Sequence, residues 1–198
     1  ALAVAMSQGA SGNKDSQDLV EAVLAHAARL PNSSIAPEAT LIVGRAEAGR
    51  PIDPAWWRSL TAKLQSRPPS STDINALGGL LRCHLEGPCK DMQPLFDAYS
   101  AALSRAAPSG QLLADYAAFA LKAMHDPLVA ERALRGALVA QPGAATYRAS
   151  LIQLLRAQGR IPEAQAEMAK LRSANHFGKL DAIIATLDAA DGRSTPRD

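Results

Sequence analysis

Two cysteines, Cys83 and Cys89, flank the run His84-Leu85-Glu86-Gly87-Pro88. Thiols placed on either side of a Gly-Pro turn have three chemical options. They can close a disulfide, since an antiparallel turn brings the Cα atoms within the roughly 4.4–6.8 Å that the bond requires. They can stay reduced and pack as small apolar groups in a helical core. They can ligate zinc, which takes four ligands, and His84 is the only further ligand nearby, so no metal site is expected. The expected state is a Cys83–Cys89 bond. Its short loop would contribute on the order of 2 kcal/mol. Such a bond implies an oxidising compartment, the periplasm or the cell exterior. Reduced thiols would imply a cytoplasmic scaffold instead.

The remaining reactive side chains form no constellation. His26, His84, His125 and His176 are scattered, and none stands with a nucleophile and an acid in an evident motif. Gly78-Gly79 opens an apolar helical run and matches no phosphate-binding fingerprint. Glu131, Glu163 and Glu167 are expected on solvated helix faces beside Arg135 and Lys170. No catalytic residue, metal or cofactor is assigned, and the chain reads as a non-enzyme, with the question left open for any larger parent protein. Trp56 and Trp57 are the only tryptophans. On a helix they point roughly 100° apart, so one should pack between elements while the other is partly exposed.

The elements that position these residues are helices. Apolar residues make up 47% of the 198-residue chain but aromatics only 4%, and alanine is abundant. That composition favours close-packed helices over sheets. With 21 basic and 19 acidic residues the net charge is +2, which does not suggest a nucleic-acid binder. No apolar run is long enough to span a membrane. The opening ALAVAM, followed by the soft stretch SQGASGNKDS, fits a cut boundary, a processed secreted chain or the trimmed end of a membrane helix.

Punctuation repeats along the chain at a spacing of 34 residues. Residues 111–144 and 145–178 superpose Leu121 on Leu155, Ala130 on Ala164, Leu134 on Met168 and Ala137 on Leu171. The first unit predicts helices over Leu112–Met124 and Val129–Ala140, turned by Asp126-Pro127 and stopped by Gln141-Pro142-Gly143. The second predicts Thr146–Ala157, a left-handed stop at Gly159 and a helix from Ile161-Pro162-Glu163 to about Ser173. Weaker units occupy 37–70 (Val43-Gly44, Leu60, Leu64, Pro68) and 77–110 (Leu80, Phe96, Leu103, Pro108). Ser71–Ala76 is expected as a loop between them. Asp15–Leu30 reads as an amphipathic helix ending at Pro31, the second half of an incomplete unit 1–36. Leu180–Ala189 reads as a capping helix within 179–191, and 192–198 as a flexible tail. The expected fold is all-α: one domain over 1–191, a right-handed α-solenoid of antiparallel helix pairs, about four and a half repeats plus a C-terminal cap. Small Ala130, Ala137 and Ala164 should be buried at helix crossings.

Gly159, Ile161, Glu163 and Ala164, with Pro142 closing the unit before, resemble the tetratricopeptide repeat. The resemblance covers residues 111–178. It departs from the family in lacking the aromatic near the start of the first helix, although Tyr147 comes close. The resemblance implies a concave groove lined by first helices. Carried over position by position, it places Arg45, Leu85, Phe119, Lys122, Gln153 and Arg156 there as the partner-binding surface. The family's chaperone-tail clamp needs Asn where this chain has Arg45, Leu85, Phe119 and Gln153, so that clamp is absent. The implied function is a non-catalytic scaffold that binds a protein or peptide, with no nucleic acid and no direct membrane insertion. Should the groove carry no contact, the Trp56-Trp57 pair is the next surface. The cysteine-bearing degenerate unit followed by two clear repeats is also loosely similar to periplasmic C-terminal tails of bacterial membrane glycosyltransferase-like proteins. That alternative makes the chain the periplasmic part of an envelope protein, tethered through an upstream membrane segment.

Overall fold

A computed structural model describes residues 14–30, 33–104 and 107–191 of the chain. The expected stop at Pro31, the first residues of unit 1–36 and the tail 192–198 lie outside them. The described residues form ten helices and no strand. These are α1 (Lys14–Ala28), α2 (Ala36–Glu47), α3 (Pro54–Ser66), α4 (Ser71–Glu86), α5 (Met92–Leu103), α6 (Gly110–Lys122), α7 (Pro127–Ala140), α8 (Ala145–Ala157), α9 (Ile161–Ser173) and α10 (Asp181–Asp191). The chain divides into two compact units, Ala1–Ala106 and Ala107–Asp198.

Local chemistry sets the helix starts. Asp53 accepts the Ala55 N–H at 2.8 Å with Pro54 in the first turn of α3. Asp126 accepts the Leu128 and Val129 N–H groups, each at 3.0 Å, with Pro127 opening α7. A carboxylate cap followed by proline satisfies orphan donors and fixes φ where no N–H is needed. Gly159 stops α8 at φ +72°, and the Arg160 N–H reaches back to the Leu155 carbonyl at 2.9 Å. Only glycine adopts that conformation without a Cβ penalty.

One expected loop is a helix. Ser71–Ala76 forms the beginning of α4 rather than a linker. Ser70 and Asp73 build a capping box: the Ser70 hydroxyl accepts the Asp73 N–H at 3.2 Å, and the Asp73 carboxylate accepts the Ser70 N–H at 2.7 Å. The polar letters SSTD are therefore the signature of a helix start, not of a loop. Ile74, Leu77, Leu80 and Leu81 behind them form the buried face. The extra length of this pair lies partly in α4 itself, which runs 16 residues where α2 has 12 and α6 has 13.

In the first unit α2 packs on α1, α3 and α4, and α3 packs on α5. First helix thus meets first helix, and second helix meets second helix. In the second unit the pairs α6–α7 and α8–α9 pack tightly, α7 also meets α8, and α10 lies on α8. The connections within these pairs are too short for anything but antiparallel neighbours. Alanines let the helices approach: Ala117, Ala120, Ala130, Ala133 and Ala164 share one core with Leu151, Leu155, Met168, Leu171 and Leu187. Ala130 and Ala137 are fully buried and Ala164 is 1% exposed, as the repeat frame requires. Replacing Ala130 or Ala164 by Leu should overpack these crossings and cost about 1–3 kcal/mol. Thermal melting followed by circular dichroism checks this, and an unchanged midpoint in both variants would contradict the packing described.

Candidate functional site

The cysteines are joined. The Sγ atoms of Cys83 and Cys89 lie 2.01 Å apart with Cα atoms 5.3 Å apart. Cys83 sits on the last turn of α4, whose end is closed by the Gly87 and Cys89 N–H groups, both donating to the Cys83 carbonyl. Ala46, Val43 and Ile52 pack around the bond. His84 beside it is half-buried and its Nδ1 has no hydrogen bond. No cluster of metal-ligating side chains occurs among the described residues. His26, His125 and His176 are exposed and far apart in sequence.

Glu163 is exposed as expected, but the other two glutamates correct the expectation of solvated faces. Glu131 and Glu167 are buried, at 8% and 9% exposure. They face neighbouring helices rather than water, and desolvation makes each recruit two cations. Glu131 on α7 accepts Arg160, at the start of α9, at 2.5 Å, and Arg135 at 2.8 Å. Those bonds, Arg160 first, hold its carboxyl below the usual range although burial pushes the other way. Glu163 also binds Arg160, at 2.6 Å, and its carboxyl is lowered by that contact. Glu167 takes Arg148 of α8 and Lys170 of its own helix. Burial raises the Glu167 carboxyl, and the two cations more than offset it. Through Arg160 and Arg148 these carboxylates clamp helix to helix.

A second polar network lies in the first unit. Asp73 is fully buried and accepts the Ile35 N–H at 2.8 Å, the Ser70 hydroxyl at 2.6 Å and the Arg67 guanidinium at 2.6 and 3.1 Å. Arg67 also donates to the Ser33 carbonyl at 3.0 Å. Beside it, buried Glu38 pairs with Lys63 at 2.6 Å and accepts the Ser59 hydroxyl at 2.7 Å. Lys63 reaches the Ala28 carbonyl and Ser33 as well. This knot ties the end of α1 and the start of α2 to α3 and α4. Two buried polar atoms of the knot have no partner, Oε2 of Glu38 and Nε of Arg67.

The residues assigned to a concave groove do not share one environment. Arg45 is paired with Glu21 of α1 and lies 5.7 Å over the Trp56 ring. Leu85 is half-buried on α4. Phe119 is fully buried, so it is a core residue and offers no face to a partner. Arg156 donates to the Leu187 carbonyl of α10 at 2.8 Å. Gln153 is exposed at a shallow hollow of about 260 Å³ that it shares with Ala149, Ala182, Ile183 and Thr186. The face of α8 given to a ligand is thus the seat of the capping helix. Only Lys122 and Gln153 of the six are exposed. The physical reason is that a ninth-position side chain serves packing wherever a further helix lies against it.

A larger cleft, about 500 Å³, opens between α3 and α5. One wall is Trp57, Thr61 and Gln65, spaced four apart on one face of α3, with Arg58 beside Trp57. The other is Asp91, which caps α5, with Pro94 and Asp97 on that helix, spaced three apart. Ile52 and Pro54 complete the apolar floor. Both tryptophans are half-buried, but they divide the work: Trp56 turns to Arg45 and Trp57 turns to the cleft. Asp91 accepts the Gln93 backbone N–H at 3.3 Å, and Asp97 accepts the Gln93 side-chain amide at 2.8 Å. No cation pairs with either carboxylate among the described residues. The signal in the sequence was present as Trp57-x-x-x-Thr61-x-x-x-Gln65 and Asp91-x-x-Pro94-x-x-Asp97. It was unreadable without knowing that the two second helices lie side by side.

No helix among the described residues is long and apolar enough to cross a membrane. Set against known proteins, the chain matches no family model, no curated protein and no solved structure.

Proposed function

We propose that this chain is a non-catalytic interaction module, an α-solenoid of antiparallel helix pairs that holds a protein or peptide. The observation that carries the reading is the cleft between α3 and α5, where an indole face and unpaired charges meet on rigid helices. Aromatic side chains held in a preformed hollow are what interfaces use as anchors. Cleft residues supplied by helices rather than loops need little ordering on binding, which favours affinity. The contact surface is accordingly the second-helix face at Trp57, not the first-helix groove.

A second reading is favoured by the Cys83–Cys89 bond. Disulfides persist in oxidising compartments, so the module belongs outside the cytoplasm. In that setting it serves as the periplasmic C-terminal domain of a larger envelope protein, such as a glycosyltransferase of polysaccharide or glycan assembly. Binding at the cleft is compatible with either setting.

Photo-crosslinking tests the binding reading. A photoreactive residue placed at Gln65, on the cleft wall, should give polypeptide adducts in cells of the source organism. The same residue at Val139, exposed on α7, should not give them. Adding Trp57→Ala should cut the Gln65 adducts at least tenfold while the helical signal is kept. No polypeptide adduct at Gln65, or the same adducts from both positions, would overturn the reading.

A further inference from the structure

Resting on that reading, we infer that the cleft between α3 and α5 recognises a basic side chain, an arginine or lysine of an extended peptide. Two observations converge. The carboxylates of Asp91, at the N-cap of α5, and Asp97, on that helix, line one wall of the cleft, both exposed and without a cationic partner among the described residues. The second is the Trp57 indole on the facing wall, since a cation placed between an aromatic face and carboxylates is attracted by both.

The apolar floor of Ile52, Pro54 and Pro94 accommodates the aliphatic stem of such a side chain, which packs while its charged end stays near water. Arginine fits better than lysine, because a planar guanidinium stacks on an indole and still forks to a carboxylate. Arg58 follows Trp57 on the α3 wall. It repels a second cation in the cleft and favours a carbonyl or carboxylate beside the basic residue. The ligand is thus a peptide with an isolated basic residue rather than a polybasic run.

The probe is the blocked tripeptide acetyl-Gly-Arg-Gly-amide, compared with its citrulline and glutamate counterparts. Citrulline keeps the shape of arginine and removes its charge. The readout is the indole N–H resonance of Trp57, assigned with Trp56→Phe. The arginine peptide should shift that resonance in a saturable, salt-sensitive way, and the other two should shift it at least tenfold less at equal concentration. Asp91→Asn with Asp97→Asn should weaken the arginine peptide tenfold or more. Asn is also a good N-cap, so the start of α5 survives the change at Asp91, and an unchanged melting curve verifies it. Equal shifts by the arginine and citrulline peptides, no shift with any peptide, or unaltered binding by the double Asn variant would overturn the inference. If Gln65 still crosslinks a polypeptide in that case, the interaction module stands and only its basic ligand is wrong. If Gln65 crosslinks nothing, the module reading fails by itself.

Discussion

Asp73→Ala should lower the stability of this protein by about 3–5 kcal/mol, the range found when one partner of a buried pair is removed. Asp73 is fully buried, and four donors converge on it from three segments: the Ile35 N–H, the Ser70 N–H and hydroxyl, and the Arg67 guanidinium. Removing the carboxylate strands the Ile35 N–H and the Arg67 charge, and it opens the capping box that starts α4. Asp73→Asn should be milder but still destabilising, since an amide offers one acceptor oxygen where the carboxylate uses both. Urea unfolding followed by circular dichroism checks the order Ala, then Asn, then wild type. An Asp91→Ala control, at an exposed cap, should cost about 1 kcal/mol. Equal losses at Asp73 and Asp91 would show that the buried network contributes nothing beyond a cap.

The same residue predicts acid behaviour. Burial raises the Asp73 carboxyl, but bonds from Arg67, Ser70 and Ile35 more than offset it and bring it down to about 2 from 3.8. A carboxyl depressed in the folded state stabilises fully above its unfolded value near 3.8 and loses that contribution as pH falls through about 2. Glu131 and Glu167 are depressed in the same direction. Wild type should therefore lose stability steadily below about pH 4, where unfolded carboxyls begin to bind protons. Asp73→Asn should show a shallower acid slope.

How much of this was legible depends on whether a feature is local. Asp126-Pro127, Gly159 and Ile161-Pro162 mark helix ends through backbone geometry that a few residues decide among themselves. They could be read directly, and so could the small alanines of the repeat frame. The Cys83–Cys89 bond belongs to the same class, because the turn between the cysteines sets the distance. Ser70-x-x-Asp73 is equally local, yet Ser71–Ala76 reads as a loop because its polar letters outweigh the capping pattern. Burial of Glu131 and Glu167 was not legible. Their partners Arg160 and Arg148 come from other helices, and a charge near the edge of a face is assigned to solvent or to a neighbour only by the crossing. The cleft at Trp57 has the same origin: its two walls are 34 residues apart between Trp57 and Asp91.

Phe119→Ala should destabilise the second unit by about 3–5 kcal/mol, the usual cost of deleting a buried aromatic. Position by position, a repeat frame makes Phe119 a ligand anchor. The side chain is instead fully buried, with its ring 6.3 Å from that of Tyr116 and tilted by 35°. Its carbonyl also accepts the Ala123 and Met124 N–H groups that close α6. Truncation leaves a cavity in a close-packed interior that the surrounding side chains refill only in part. For a chain of this length the loss corresponds to a fall in melting temperature of roughly 10 °C. Lys122→Ala, one turn on and exposed, should leave the midpoint unchanged. The contrast separates two roles that any binding assay would confuse, because a partly unfolded Phe119 variant also loses its partner. If Phe119→Ala melts with wild type yet abolishes a bound polypeptide, the ring is a contact after all. A large melting shift, with Gln65 crosslinking restored at low temperature, places Phe119 in the core and leaves the contact surface to Trp57.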